Sequence, residues 1–204
     1  MFGFTMIELL IVIAVLGILA VAVLSAINPI EQINRGKDTG SRSDGEQLLS
    51  SIDRFYAGKG FYPWMLSASS TNEEITNNVG GGIPALTEIT GLAQVIGDDP
   101  AVQFLANLSS GGSAEIKESF VTRITDATYN SLMIYNNGVS GSSTYVCFTP
   151  KSSSFREEAW KRCADGAGLG LTMPSDFPAE ACPATACDDA VTAAAATACM
   201  ICLP

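Results

Sequence analysis

The chain divides sharply at about residue 27. From Phe4 to Ile27 only Thr5, Glu8 and Ser25 are polar, and residues 9–24 contain no charged or strongly polar side chain. An α-helix rising about 1.5 Å per residue needs roughly 20 residues to cross a hydrocarbon core, so this run can span a bilayer. Asn28-Pro29 interrupts it. Proline in a helix interior removes one hydrogen bond and clashes with the preceding turn, which predicts a kink. Beyond it the pattern becomes amphipathic: Ile30 and Ile33 share a face, and Leu48, Leu49, Ile52, Phe55 and Tyr56 recur at helical spacing. Between them, Arg35 to Glu46 is polar and holds Gly36, Gly40 and Gly45. Each helical glycine costs about 1 kcal/mol relative to alanine, which marks this as the weakest part of the helix. Lys37, Asp38, Arg42 and Asp44 read there as a solvated face, with ion pairs to another molecule as the alternative. The helix is predicted to end near Gly58-Lys59-Gly60, just before Pro63. Such a helix from Phe4 would be ~80 Å long. No globule of this size can bury it throughout, so lipid or other proteins must cover its front half.

The rest of the chain is patterned more weakly. Ser67–Asn78 is a polar loop followed by Gly80-Gly81-Gly82. Asp98-Asp99-Pro100 has the chemistry of a helix start running into Ala101–Leu108. Ile116–Ile124 fits a strand or a short helix. Ser131–Tyr135, the turn Asn137-Gly138 and Thr144–Thr149 predict a β-hairpin. Ser154 is the expected cap of a short helix through Cys163. From Gly166 the tail is Gly-, Ala- and Pro-rich, with little to form a core by itself. The architecture this implies is α+β: a long N-terminal helix packed on a small antiparallel sheet head, with a disulfide-stapled extension. The expected divisions are a leader remnant at 1–3, a membrane or core helix at 4–28 and an amphipathic helix at 29–60. A head at 61–165 and a Cys-rich extension at 166–204 complete them.

Charge and cysteines narrow the function. The net charge is −10, with five basic against six acidic residues in 1–60 and six against fifteen beyond. An acidic surface argues against general nucleic-acid binding. All six cysteines (Cys147, Cys163, Cys182, Cys187, Cys199 and Cys202) lie in the last third. Behind an export signal, an even number reads as disulfides. Cys147–Cys163 is the pairing expected from their flanking one hairpin-to-helix connection. Cys199-Met-Ile-Cys202 could instead belong to a zinc site, but the chain has no histidine and no second such pair. Asp98-Asp99 and Asp188-Asp189 lack the spaced pattern of a calcium loop. No catalytic motif, nucleotide loop or cofactor signature is evident, so an enzyme is not expected, and neither a metal nor a cofactor.

The start of the chain is the most specific signal. Glu8 is a lone carboxylate near the mouth of an apolar helix, and a charge at such depth usually has a partner. It could also sit there as a charge favoured by the helix dipole. A conventional signal peptide is the competing reading, with Ala22–Ala26 as its cleavage pattern, but no Lys or Arg precedes the apolar run. Gly3-Phe4-Thr5-Met6-Ile7-Glu8, the apolar helix with Gly17 and Pro29, and Tyr56…Gly60-Phe61-Tyr62-Pro63 together resemble the type IV pilin and pseudopilin family. The resemblance covers residues 3 to about 63 and is specific only at the start. It implies cleavage after Gly3 by a prepilin peptidase and N-methylation of Phe4. It further implies that Glu8 neutralises the terminal amine of a neighbouring subunit, and that Gly17 to Pro29 can stretch. Close helix packing is the alternative role of Gly17. The implied partners are membrane lipid, further copies in a helical homopolymer, and an inner-membrane assembly platform. The implied function is a surface filament subunit in adhesion, motility or DNA uptake. A minor pilin or pseudopilin of a secretion or competence machine is the second reading, and a non-polymerising anchored binding protein the third. Two features depart from the family: no basic residue precedes Gly3, and Pro29 stands about a turn further from Phe4 than its usual proline.

Overall fold

The computed structural model describes residues 3–26, 28–65, 83–89, 104–109, 113–126, 128–139, 141–163, 173–182 and 199–204. Helix α1 runs Met6–Ala26 and helix α2 runs Pro29–Lys59. The break at Asn28 is a capped helix start. The Asn28 side chain accepts a hydrogen bond from the Glu31 N–H at 3.3 Å, and Pro29 occupies the first turn, where its missing N–H costs nothing. Gly60 ends α2 in the left-handed region (φ 77°), a conformation glycine adopts without strain, as the sequence predicts.

The head is a four-stranded antiparallel sheet in the order β1-β2-β3-β4. Its strands are β1 (Ile83–Glu88), β2 (Leu132–Asn136), β3 (Thr144–Phe148) and β4 (Ile201–Leu203). The β2–β3 pair is the predicted hairpin, registered from Leu132↔Phe148 to Asn136↔Thr144. Neither β1 nor β4 has a strand signature: Pro84 interrupts the six residues of β1, and three residues of β4 hold too few alternations to read. Two short helices follow, α3 (Phe104–Leu108) and α4 (Glu118–Ile124), and α4 resolves the ambiguity at 116–124 in favour of helix. Helix α5 (Ser153–Cys163) follows the hairpin, and its first turn is capped by Ser152 rather than Ser154: the Phe155 N–H donates to Ser152 Oγ at 3.4 Å. The start expected at 98–100 lies outside the described residues.

The C-terminal half of α2 supplies one wall of the core. Leu48, Ile52 and Phe55 pack with Ile134, Val146, Phe148 and Ile201 from the sheet, and with Trp64 and Phe104. Gly45 lets the sheet come close. A Cβ there would stand 3.0 Å from Leu203 Cδ1 and 3.4 Å from Val146 Cγ1. The weak segment predicted around the glycines is continuous helix, because tertiary contact outweighs propensity.

The opposite face of the sheet is covered by residues 173–182. Phe177 and Ala181 pack there with Tyr145, Cys147 and Cys202. Asp176 accepts from the Ser143 N–H at 2.7 Å and the Tyr145 hydroxyl at 3.1 Å; the Leu86 N–H donates to Glu180 at 2.8 Å. The disulfides are Cys147–Cys202 and Cys163–Cys182, not the expected Cys147–Cys163. The register explains this. Cys147 and Cys202 face each other across β3 and β4, and Cys163, at the end of α5, meets Ala181 and Cys182 of the segment that covers the sheet. Cys199 is disulfide-bonded too, and Cys187 lies outside the described residues.

Candidate functional site

Helix α1 begins with a reciprocal cap. Thr5 Oγ1 and the Thr5 N–H donate to Glu8 Oε2 at 2.6 and 2.9 Å, and the Glu8 N–H returns a bond to Thr5 Oγ1 at 3.3 Å. This is a capping box, in which two donors at the helix start satisfy each other's partners. Its sequence signature is Thr-x-x-Glu before an apolar run, and it was legible at Thr5 and Glu8. The box holds the carboxylate beside the segment Gly3-Phe4. Both Thr5 bonds end on Oε2, and among the described residues Oε1 accepts no hydrogen bond.

Past this cap the helix is uncovered. From Met6 to Val23 the mean hydropathy is 3.0 and none of the window is buried. Phe4, Met6, Ile7, Ile18 and Val21 all stand exposed. Nothing lies within 4 Å of a Cβ built at Gly17. Pro29 is the first residue of α2, so it starts a helix and does not kink one.

The polar stretch of α2 differs from the solvated face expected of it. Asp38 is wholly buried and Asp44 nearly so. Asp38 accepts the Lys151 N–H, the Ser152 N–H at 2.7 Å and the Ser152 hydroxyl at 2.6 Å. Glu31 accepts the Ser153 N–H at 2.7 Å and its hydroxyl at 2.6 Å. Two carboxylates of α2 thus dock the N-terminus of α5, where free N–H groups and the helix dipole favour negative charge. The Ser153 hydroxyl holds the Glu31 carboxyl below its usual range. Asp44 accepts from Arg123 at 2.6 Å and from the Tyr129 hydroxyl. Arg42 bonds both oxygens of Glu158 at 2.6 Å and lies 4.7 Å from the Phe155 ring centre. Burial raises the Glu158 carboxyl, but Arg42 and Arg162 outweigh it and leave it lowered. Of the four residues read as one face, only Lys37 is exposed and makes no ion pair or hydrogen bond among the described residues.

A cleft of ≈ 480 Å³ opens between α2, α4 and the turn before β2, lined by Lys37, Gly40, Ser41, Asp44, Arg123 and Tyr129 among others. Among the described residues no three His, Cys, Asp or Glu side chains cluster as metal ligands. Asp98-Asp99 and Asp188-Asp189 lie outside those residues.

Residues 2–24 match the family model described as the prokaryotic N-terminal methylation motif. The match covers Gly3, Phe4, Glu8 and Gly17, and is the type IV pilin-like signal. No curated protein and no solved structure matches the chain.

Proposed function

We propose, from the type IV pilin-like signal at residues 2–24, that this chain is the structural subunit of a type IV pilus-like filament. The observation that carries the reading is an 18-residue apolar stretch of α1, none of it buried, within that signal. The helix waits in the membrane, then passes into a helical polymer made of the same segments. Apolar burial is roughly conserved in that transfer, because lipid contacts become protein contacts. A prepilin peptidase cleaves after Gly3 and Phe4 receives the methyl group. An inner-membrane assembly platform extracts the subunit, and the role is not enzymatic.

Glu8 then pairs with the methylated amine of Phe4 in a neighbouring copy. An ammonium and a carboxylate attract strongly in a dry bundle, and each alone is costly to bury. The capping box supports this reading: Thr5 holds Oε2 and, among the described residues, no donor reaches Oε1. The pair sets register more than it adds stability. The test is the Glu8→Gln variant in the native host. Inserted monomer with loss of filaments is expected; a normal filament yield would overturn the role of Glu8. Mass spectrometry of purified filaments should show this chain as their main subunit, beginning at N-methyl-Phe4. A minor pilin or pseudopilin would instead be scarce in them.

A further inference from the structure

The cleft between α2 and α4 is lined by two helix faces. Lys37, Gly40, Ser41 and Asp44 fall at i, i+3, i+4 and i+7, so they share one side of α2. Ser119, Thr122 and Arg123 repeat that spacing on α4, and Asp126, Thr128, Tyr129 and Asn130 complete the lining. Gly40 keeps the space open: nothing lies within 4 Å of a Cβ built there. The volume of ≈ 480 Å³ falls in the range of small-molecule sites.

The charges of this lining cancel. Lys37 and Arg123 stand against Asp44 and Asp126, in a chain of net charge −10. A charged ligand would meet as much repulsion as attraction. What stays unspent is hydrogen-bonding capacity of both kinds. Ser41 Oγ is enclosed and makes no hydrogen bond, although it neighbours the Tyr129 hydroxyl, which donates to Asp44. Lys37 is exposed and unpaired among the described residues. Asp126 takes the Thr128 N–H and hydroxyl on Oδ1 and, among the described residues, nothing on Oδ2. The Asn130 amide nitrogen donates to the Thr149 carbonyl, which leaves its Oδ1 as an acceptor. Thr122 and Thr128 spend their hydroxyls on the Glu118 carbonyl and on Asp126, so they add carbon to the lining.

We propose that this cleft binds a neutral saccharide. Each sugar hydroxyl both donates and accepts, so neighbouring hydroxyls can accept from Lys37 and Ser41 while they donate to Asp126 and Asn130. The C–H surface of a sugar ring suits the carbon that Tyr129, Thr122 and Thr128 supply. A phosphate group mainly accepts and an ammonium group only donates, so either would leave half of these groups unmatched. Buried polar groups favour the ligand that satisfies all of them. The site involves neither the apolar helix α1 nor Glu8, so it is independent of the filament reading.

Saturation-transfer NMR on the full chain, in a detergent without a sugar headgroup, tests this. Lactose, maltose and N,N′-diacetylchitobiose are the neutral probes, and inorganic phosphate is the charged one. Saturable binding of at least one sugar is expected, and none of phosphate. Gly40→Leu fills the cleft from a helical position where a side chain has room, so it should abolish binding without lowering the melting temperature. Lys37→Ala and Asp126→Asn should each weaken binding about tenfold, the loss of one good hydrogen bond. An anion site would respond with opposite signs, weaker in Lys37→Ala and tighter in Asp126→Asn. Failure of all three sugars to bind, binding that survives Gly40→Leu, or a site that takes phosphate instead would each overturn the proposal. Filament yield reads the filament proposal separately.

Discussion

The two N-terminal helices have neighbouring sequences and opposite requirements. Helix α1 is almost purely apolar and has no cover of its own. Helix α2 has a polar first half, yet it buries Asp38, Ser41, Asp44 and Ser51 alongside Leu48 and Ile52. Hydrophobicity therefore does not predict burial here. In α1 it marks surface that the head does not cover. In α2 the buried carboxylates are tolerated because docking supplies their partners: Asp38 accepts from Lys151 and Ser152, Asp44 from Arg123 and Tyr129.

The sharpest break of this comparison uses one change in each helix. Leu48→Ala should destabilise the head by about 2–5 kcal/mol, since Leu48 is wholly buried in the core. Leu16→Ala in α1 should leave head unfolding within about 0.5 kcal/mol of wild type, followed by thermal melting in detergent. A comparable loss from both would mean that α1 is packed on the head.

Joint replacement of Cys147 and Cys202 by alanine should cost about 2–4 kcal/mol and free β4 from β3. Amide hydrogen exchange at Ile201–Leu203 would show it.

Asp38→Ala should cost about 1–3 kcal/mol, because it strands the buried Ser152 N–H and hydroxyl together with the Lys151 N–H. Asp38→Asn should recover part of this. Proteolysis at the α5 start is the readout, and unchanged protection in Asp38→Ala would show that the docking is incidental.

The smallest effect is on pH. The Ser153 hydroxyl lowers Glu31, and the Ser143 N–H lowers Asp176. A lowered folded-state pKa gives stability that is full above the ordinary carboxylate value and lost as pH falls through the lowered one. Both groups are partly exposed, so solvent screening keeps the loss small. Melting temperature should therefore hold from neutral pH to about 5 and decline below 4. In Glu31→Gln that decline should be shallower.

Much of the N-terminal arm, and the central hairpin of the head, was legible from local chemistry. The apolar length, the Asn28-Pro29 break, the stop at Gly60 and the Asn137-Gly138 hairpin each rest on residues close in sequence. The methylation motif at 2–24 agrees with the resemblance read from Gly3, Phe4 and Glu8. The capping box was equally local and could have been read from Thr5-x-x-Glu8. The face holding Asp38, Arg42 and Asp44 was misread as solvated. Its partners are Ser152, Glu158 and Arg123, 79 to 116 residues away. No helical periodicity contains that information, since a carboxylate bonded to a distant helix start has the same spacing as one in water.

The sequence by itself determined that residues 6–23 form an apolar helix needing an external environment, because apolar length and polar absence are properties of the chain alone. It also determined that the six cysteines make disulfides possible. Which cysteines pair was decided by the sheet. Cys147 meets Cys202 only because β4, a three-residue strand from the far end of the chain, adds beside β3. The tertiary structure likewise decided which charges of α2 are engaged within the chain and which stay exposed. Pairing depends on distance in space, and only the packed head brings residues a hundred positions apart within hydrogen-bond reach.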